Sequence, residues 1–409
     1  MKDTTRSLIF TSLGHFTNDG NFLLFPTLIA YYRLIPGVSL PLLGTMAVIY
    51  NLISGFLGSP IGKMADKINH DGLLIFAGIF IEASSVMLFG LSFIFIKYID
   101  YTILIASVML GVGQAFYHPI GASILAFTYG KERSPVAMGY NGSFGSLGRS
   151  LIPIMLVYSI DFFGNVKGIY IIVVYTLASA FIILGGLSFF SRKKYSTRNV
   201  NSTEGRKAEK KPEFRDYSRF LYILTLIVFV RSMFLMGTVT FVPDYLDNVL
   251  HSTILMGYVT FISFLSAVIG QPYFGSMVRK HGGKFTIAIT TIISTVFFGL
   301  FLLVRSFDML TLLYMIYVFA AFSGFPVLLG FVAQVIPSEF STQSNALIWS
   351  FGNIVGGSAG IALVTFLLYI HVTLYNTMVY MLIFAVLSAV LLPLLPSRTS
   401  VKSESNKNV

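Results

Sequence analysis

Gly62-Lys63-Met64-Ala65-Asp66-Lys67-Ile68-Asn69-His70-Asp71 is a polar island between two long apolar runs, 40–61 and 73–96. A second island, Gly275-Ser276-Met277-Val278-Arg279-Lys280-His281-Gly282-Gly283-Lys284, stands where the apolar runs 254–278 and 285–304 meet. At an offset of 213, Gly62 aligns with Gly275 and Lys67 with Lys280. Further along the offset is 207: Pro119 matches Pro326, Glu132 matches Glu339 and Ser134 matches Ser341. Ser143-Phe144-Gly145 likewise matches Ser350-Phe351-Gly352. Sparse identities among apolar segments arise by chance. These are collinear, and each island falls between the second and third runs of its half, so duplication explains them better.

Working outward, the apolar chain divides into twelve spans. They lie near 7–32, 40–61, 73–96, 102–128, 135–158 and 166–190, then 220–246, 254–278, 285–304, 309–336, 342–367 and 372–395. The expected organisation is a six-helix bundle over 1–190, a basic linker over 191–219, a second bundle over 220–396 and a tail over 397–409. The runs are continuously apolar instead of alternating, which argues against a β-barrel. The composition agrees: of 409 residues, 55% are hydrophobic and only 11% charged, with a mean hydropathy of +0.79. Ordinary soluble domains carry about 25% charge, and disordered chains are poor in apolar residues. The fold class is therefore all-α integral membrane, twelve transmembrane helices in two pseudo-symmetric bundles. The start, Met1-Lys2-Asp3-Thr4-Thr5-Arg6, leads into the first span without an evident cleavage site, so it reads as a helix and not a removable signal.

A net charge of +11 would suggest nucleic acid in a soluble protein. Here it reports orientation. Twelve spans put both termini and the linker on one side, and 22 of the 28 Lys and Arg residues lie there. Only Arg33, Lys97, Lys167 and Arg305 fall in the opposite loops. Basic loops stay in the cytoplasm, so both termini are expected there, in a cell membrane. The chain has no Cys, which removes disulfides, thiolate metal sites and Cys nucleophiles. It carries neither a Walker Gly-x4-Gly-Lys-Ser/Thr loop nor His-Glu-x2-His, so no enzyme, cofactor or resident metal is expected.

Six-plus-six helices around a basic loop resemble the major facilitator superfamily across essentially the whole chain. Its loop between helices two and three reads Gly-x3-Asp-(Arg/Lys)-x-Gly-(Arg/Lys)-(Arg/Lys). The first island keeps Gly62, Asp66 and Lys67 but not the later Gly and basic pair. The second keeps Gly275, Lys280, Gly282 and Lys284, with Arg279 in place of the Asp. Three further segments are similar to the fosmidomycin resistance protein and its relatives. They are His15-Phe16-x-Asn18-Asp19, Gly111-x-Gly113-x-Ala115-x2-His118-Pro119 and Arg231-x5-Gly237-x3-Phe241-x-Pro243. The resemblance implies a secondary transporter, with proton-driven export as its leading activity. It also implies a cytoplasmic gate at Gly62, Asp66, Lys67, Gly275, Arg279 and Lys280. Glu132 with Arg133, and Glu339, are candidates for a latch of the same kind.

A charge at the bilayer centre costs ~2.5–3.5 kcal/mol on insertion scales, so an intramembrane charge needs a partner, a wet cavity or a function. Four residues qualify: Asp19, Glu82, Arg149 and Arg231. Asp19 lies about twelve residues into the first span, roughly 18 Å along it, with His15 one turn away. It fits a proton carrier or a structural carboxylate paired to Arg; desolvation favours the neutral form of a carboxyl, which a carrier exploits. His118 and Gln114 share a face of the fourth span; His118 suits a proton relay, an anion donor or plain packing. Arg149 closes a stripe, Asn141-Gly145-Arg149, and serves as counter-ion for Asp19, as an anion clamp, or as an interhelical pair. Arg231 stands equally deep in the seventh span, suited to anion contact or a gating pair. Glu82, beside Ser84 and Ser85, reads as structural or as a second relay. Asn18, Tyr117 and Asn345 complete the substrate-contact candidates. The glycines beside Arg149, and Gly356, Gly357 and Gly360 in the eleventh span, read as close-packing surfaces.

Two transport readings follow: export of a drug or metabolite in exchange for protons, or proton-coupled uptake of an organic or phosphorylated anion. The expected partners are a small molecule, protons and the bilayer, with no nucleic acid and a monomeric working unit. A third reading is a membrane protein that keeps the fold without transporting.

Overall fold

The computed structural model describes residues 1–192, 214–336, 340, 344–345 and 347–396. Most of the linker, the tail and Glu339 lie outside these residues, as does the side chain of Glu132. The described chain is helical, and nine of its helices are long and apolar enough to cross a membrane. The longest of these, Val136–Leu187, holds two crossings joined at Gly164. The first and tenth spans are each divided into shorter helices.

The divisions have a common chemical cause. Pro lacks an N–H, so the carbonyl four residues earlier loses its helical partner. Pro26 withdraws the donor for Phe22, and the first span breaks into Asp3–Phe22 and Leu24–Tyr32. Pro243 does the same for Val239, where Ser218–Val239 gives way to Val242–Leu250. Pro326 follows Phe322 by four, at the break between Phe307–Ala321 and Gly324–Val335. The first and seventh spans, equivalent in the two halves, are thus broken alike. The fourth span, by contrast, runs on as helix through Pro119. The turns after the fourth and fifth spans use Gly130 (φ 71°) and Gly164 (φ 78°), a region that suits glycine.

Each polar island ends its helix on a residue of positive φ. Leu40–Ile68 ends on Asn69 at φ 56°, whose N–H reaches the Ala65 carbonyl at 3.1 Å. Thr253–His281 ends on Gly282 at φ 87°, whose N–H reaches the Val278 carbonyl at 3.0 Å. Asn69 occupies the place of the family's glycine, and Asn tolerates left-handed backbone best among side-chain-bearing residues. The missing glycine therefore leaves the turn intact.

Within each half, glycines bring paired helices together. A Cβ on Gly148 would lie 2.0 Å from the Phe16 carbonyl oxygen, and one on Gly360 would lie 2.0 Å from that of Met233. The fifth span is therefore bedded on the first, and the eleventh on the seventh. Gly148→Ala and Gly360→Ala must push backbones apart, at a cost of about 1–3 kcal/mol. Thermal unfolding of the purified protein is expected to come at lower temperature in both variants. Gly139→Ala, with nothing within 4 Å of the new Cβ, is the control. Unchanged unfolding of all three would refute the close-packing account.

Contacts between the halves run from mid-membrane to the end away from the termini. Gln271 Nε2 donates to Ser146 Oγ at 2.5 Å, and Ser150 Oγ to the Phe261 carbonyl at 2.7 Å. Gly55 faces Ile354, and Gly257 faces Ile154. Beyond them Arg33 pairs with Asp244 and, at 2.7 Å, with Asp247. Arg33, a loop charge by the sequence, is thus part of an interhelical tie, with Asp244 fully buried.

At the opposite end Asp66 binds Arg192 at the start of the linker; the Arg192 side chain also holds Asp71 at 2.6 Å, and its backbone N–H donates to the Asn69 side-chain oxygen at 2.7 Å. Burial works against the Arg192 charge, but Asp71 and Asp66 outweigh it and hold the guanidinium above its usual pKa. Lys67, Arg279 and Lys280 are exposed, and Gly62 and Gly275 stand on the helix ends leading to them. Among the described residues, no salt bridge joins these two islands. The structure is tied shut away from the termini.

Candidate functional site

Asp19 is 3% exposed, and four side chains converge on it. Arg149 Nη1 donates to Oδ2 at 2.6 Å, and His15 Nε2 lies 3.2 Å from the same oxygen. His118 Nε2 lies 3.4 Å from Oδ1, and Asn18 Nδ2 donates to Oδ1 at 3.1 Å. The first, fourth and fifth spans each contribute. The helical repeat places His15 one turn below Asp19. Gly145 makes room for both: a Cβ there would lie 2.6 Å from the His15 ring and 2.8 Å from Asp19 Oδ2.

Hydrogen bonds behind the cluster orient it. Asn141 Nδ2 faces Thr11 Oγ1 at 3.3 Å, which turns Asn141 Oδ1 toward His15 Nδ1 at 2.7 Å and the Tyr117 hydroxyl at 3.0 Å. The hydroxyl also reaches the Thr11 carbonyl at 2.7 Å. In this network His15 Nδ1 carries a proton. Nε2 faces Asp19 at 3.2 Å, a contact that a proton on either the imidazole or the carboxyl makes attractive. The arrangement has a seat for one proton between imidazole and carboxylate. His118 offers the way to it, because its side chain is 41% exposed while that of Asp19 is 5% exposed.

Asp19, His15, His118, Gln114 and Arg149 line one wall of a cavity between the halves, which encloses roughly 1210 Å³ including its open mouth. Arg231 lines the facing wall with Ser232, Gln271 and Asn353. The two arginines differ. Arg149 is held by Asp19 and by Ser146 Oγ at 3.1 Å. Among the described residues Arg231, 5% exposed, donates only to the Ala321 carbonyl at 3.4 Å, and its Nε has no partner. Among the described residues, no carboxylate forms a salt bridge with it.

Other expected contacts stand back from the cavity. Asn18, Asn141 and Tyr117 brace the cluster from behind; Gln114 Nε2 donates to the Asn18 carbonyl at 2.6 Å. Glu82 is buried off the wall, where Asn21 Nδ2 donates to its Oε2 at 2.8 Å and its Oε1 is unpartnered. Asn345 is half-buried, while the eleventh span's wall residues are Trp349, Asn353 and Ile354. Asn51, Ser54 and Gln271 escaped the sequence reading because a lone polar residue in an apolar run carries no spacing signal. For a metal ion, His15, Asp19 and His118 offer ligand atoms within 4.8 Å of one another. Arg149 already supplies the positive charge at that carboxylate.

The sequence matches the family model described as Major Facilitator Superfamily over residues 11–360 and again over 224–408. A comparison with curated proteins finds no match. The fold is similar to that of a bacterial homologue of the human lysosomal transporter Spinster, inward-facing and unoccupied. The TM-score is 0.75 at 13% identity over 98% of each chain. It is also similar to the peptide transporter POT in complex with sulfate, with TM-score 0.74 at 16% identity over 95% of this chain and 93% of that one. At these identities the likeness is one of fold.

Proposed function

The chain belongs to the major facilitator superfamily, a family of multi-pass membrane transporters for small molecules and not of enzymes, and we propose that it is a proton-coupled secondary transporter working by alternating access. The observation that carries the proposal is Asp19, buried at the cavity wall among His15, His118 and Arg149. A carboxylate in such a place couples proton uptake to its ion pair. His118 serves as the relay to water, while Gln114 and Arg231 meet the substrate. The polar islands, with Asp66 and Lys67 in one and Arg279 and Lys280 in the other, would close the termini side in the alternate state.

Two directions are open to such a machine. Likeness of the three motif segments to the fosmidomycin resistance branch supports export of a drug or metabolite in exchange for protons. The unpaired Arg231 favours the other reading, uptake of an organic anion together with protons. The basic loops support a cell-membrane location with cytoplasmic termini, and one chain holding the whole cavity supports a monomer. Flux of labelled compounds into proteoliposomes under an imposed pH gradient tests the proposal. Comigration with protons indicates uptake and exchange indicates export; no gradient-driven flux of any compound refutes proton coupling.

Glu82 enters this scheme only as a brace. It lies off the wall, and Gln can accept the Asn21 bond as Glu does. Glu82→Gln is expected to leave the pH profile of transport within about 3-fold of the parent at each pH, a margin near 0.6 kcal/mol. A displaced profile would return Glu82 to the proton path.

A further inference from the structure

We infer that the cavity takes a small organic anion with an apolar body, seated on Arg231, and that a proton at Asp19 strengthens its binding by releasing Arg149. The inference rests on the cavity being the transport pathway proposed above, and it adds the substrate class and the sign of coupling.

The charge around the cavity is lopsided. Asp19 faces His15 on its own span, His118 from the fourth and Arg149 from the fifth. Glu82 of the third span stands behind Asn21, and Tyr117 stands behind Asn141. Arg231 of the seventh span answers none of them. It is 5% exposed, its Nε is unpartnered, and its guanidinium opens on the same cavity. Removing a charge from water is costly unless a partner meets it. Among the described residues no side chain supplies one, so a ligand that does so gains most of its affinity there. A carboxylate, sulfonate or phosphonate presents two oxygens to the guanidinium fork. Phe22, Val228, Leu235, Met236, Phe322 and Leu328 give the wall an apolar remainder that suits a hydrocarbon body.

Coupling follows from the Asp19–Arg149 pair. With Asp19 ionised, Arg149 is neutralised and an anion meets one free guanidinium. With Asp19 protonated, Arg149 loses its counter-charge and can turn to the anion as a second donor. Linkage is reciprocal: a proton that tightens the anion is itself tightened by the anion. Proton and substrate then load together. A cation would instead compete with the proton for Asp19.

The chain's single Trp, Trp349, lines the cavity and provides the readout. Its fluorescence in the full-length detergent-solubilised protein would be titrated with benzenesulfonate, benzenesulfonamide and benzyltrimethylammonium at mildly acidic and mildly alkaline pH. These probes share a ring and differ in fixed charge. Saturable binding of the sulfonate is expected, about 10-fold or more tighter at the acidic pH. Asp19→Asn should give the tight form at both pH values. Arg231→Ala should weaken the sulfonate about 10- to 100-fold. Arg231→Gln repeats that test with a better-filled site if the Ala variant fails to fold.

Preference for the cation or the neutral probe, tighter sulfonate binding at alkaline pH, unchanged affinity in the Arg231 variants, or no response to any probe would overturn the inference. Proteoliposome flux separates it from the transport reading. Sulfonate binding without gradient-driven flux sinks transport and leaves the anion site standing, whereas flux that prefers cations does the reverse.

Discussion

Asp19→Asn is expected to reduce pH-gradient-driven accumulation to the level of protein-free liposomes. Counterflow at equal pH on both sides should persist within about 10-fold, the scale of an ordinary coupling term. Asn keeps the shape and the acceptor for Arg149 but cannot carry a proton through the cycle. Asp19 is the one carboxylate on the cavity wall among the described residues, and every charged neighbour there touches it except Arg231. The substitution leaves Arg149 without its counter-ion, yet that side chain is 17% exposed, so water softens the loss. Folding is therefore expected to survive where coupling does not. Accumulation against a gradient by the variant would remove Asp19 from the proton path.

Arg33→Ala is expected to open the end away from the termini. Arg33 is the cation of a tie that joins the halves through Asp244, whose side chain is fully buried, and Asp247, at 11% exposure. Without it the closed state keeps two carboxylates against each other and out of water, at about 3–5 kcal/mol for a broken buried pair. The open state hydrates them. The equilibrium between the two should move by about 100-fold or more toward opening. The natural absence of Cys makes the readout clean. Leu235, on the cavity wall, is replaced by Cys and labelled with an impermeant maleimide added from the side opposite the termini. Labelling should be slow with Arg33 present and about 100-fold faster in Arg33→Ala. Equal rates would show that the tie does not hold the gate.

Much of the fold is legible in the sequence. Apolar run length reports crossings because backbone polar groups in lipid must be satisfied within a helix. The islands at 62–71 and 275–284 marked the repeat, and each ends its helix on a residue of positive φ, Asn69 or Gly282. The breaks at Phe22 and Val239 are also local chemistry, since Pro26 and Pro243 stand four residues on. The composition excluded a soluble domain, and the charge excess belongs to loops.

The site was legible only as a set of names. Asp19, His15, His118, Arg149 and Arg231 stood out because charge and imidazole are rare in apolar spans. Their pairing was not visible: Arg149 lies 130 residues from Asp19, and Arg33 lies 214 from Asp247. The sequence alone determined which segments are helices, where they turn and which polar groups lie deep, because each follows from chemistry within a few residues. Tertiary structure alone decided that Asp19 neutralises Arg149, that Arg231 stays unpaired, and that Arg33 ties the halves. Those outcomes depend on which helix faces meet. An ion pair forms over a few ångströms of space, whatever its separation along the chain.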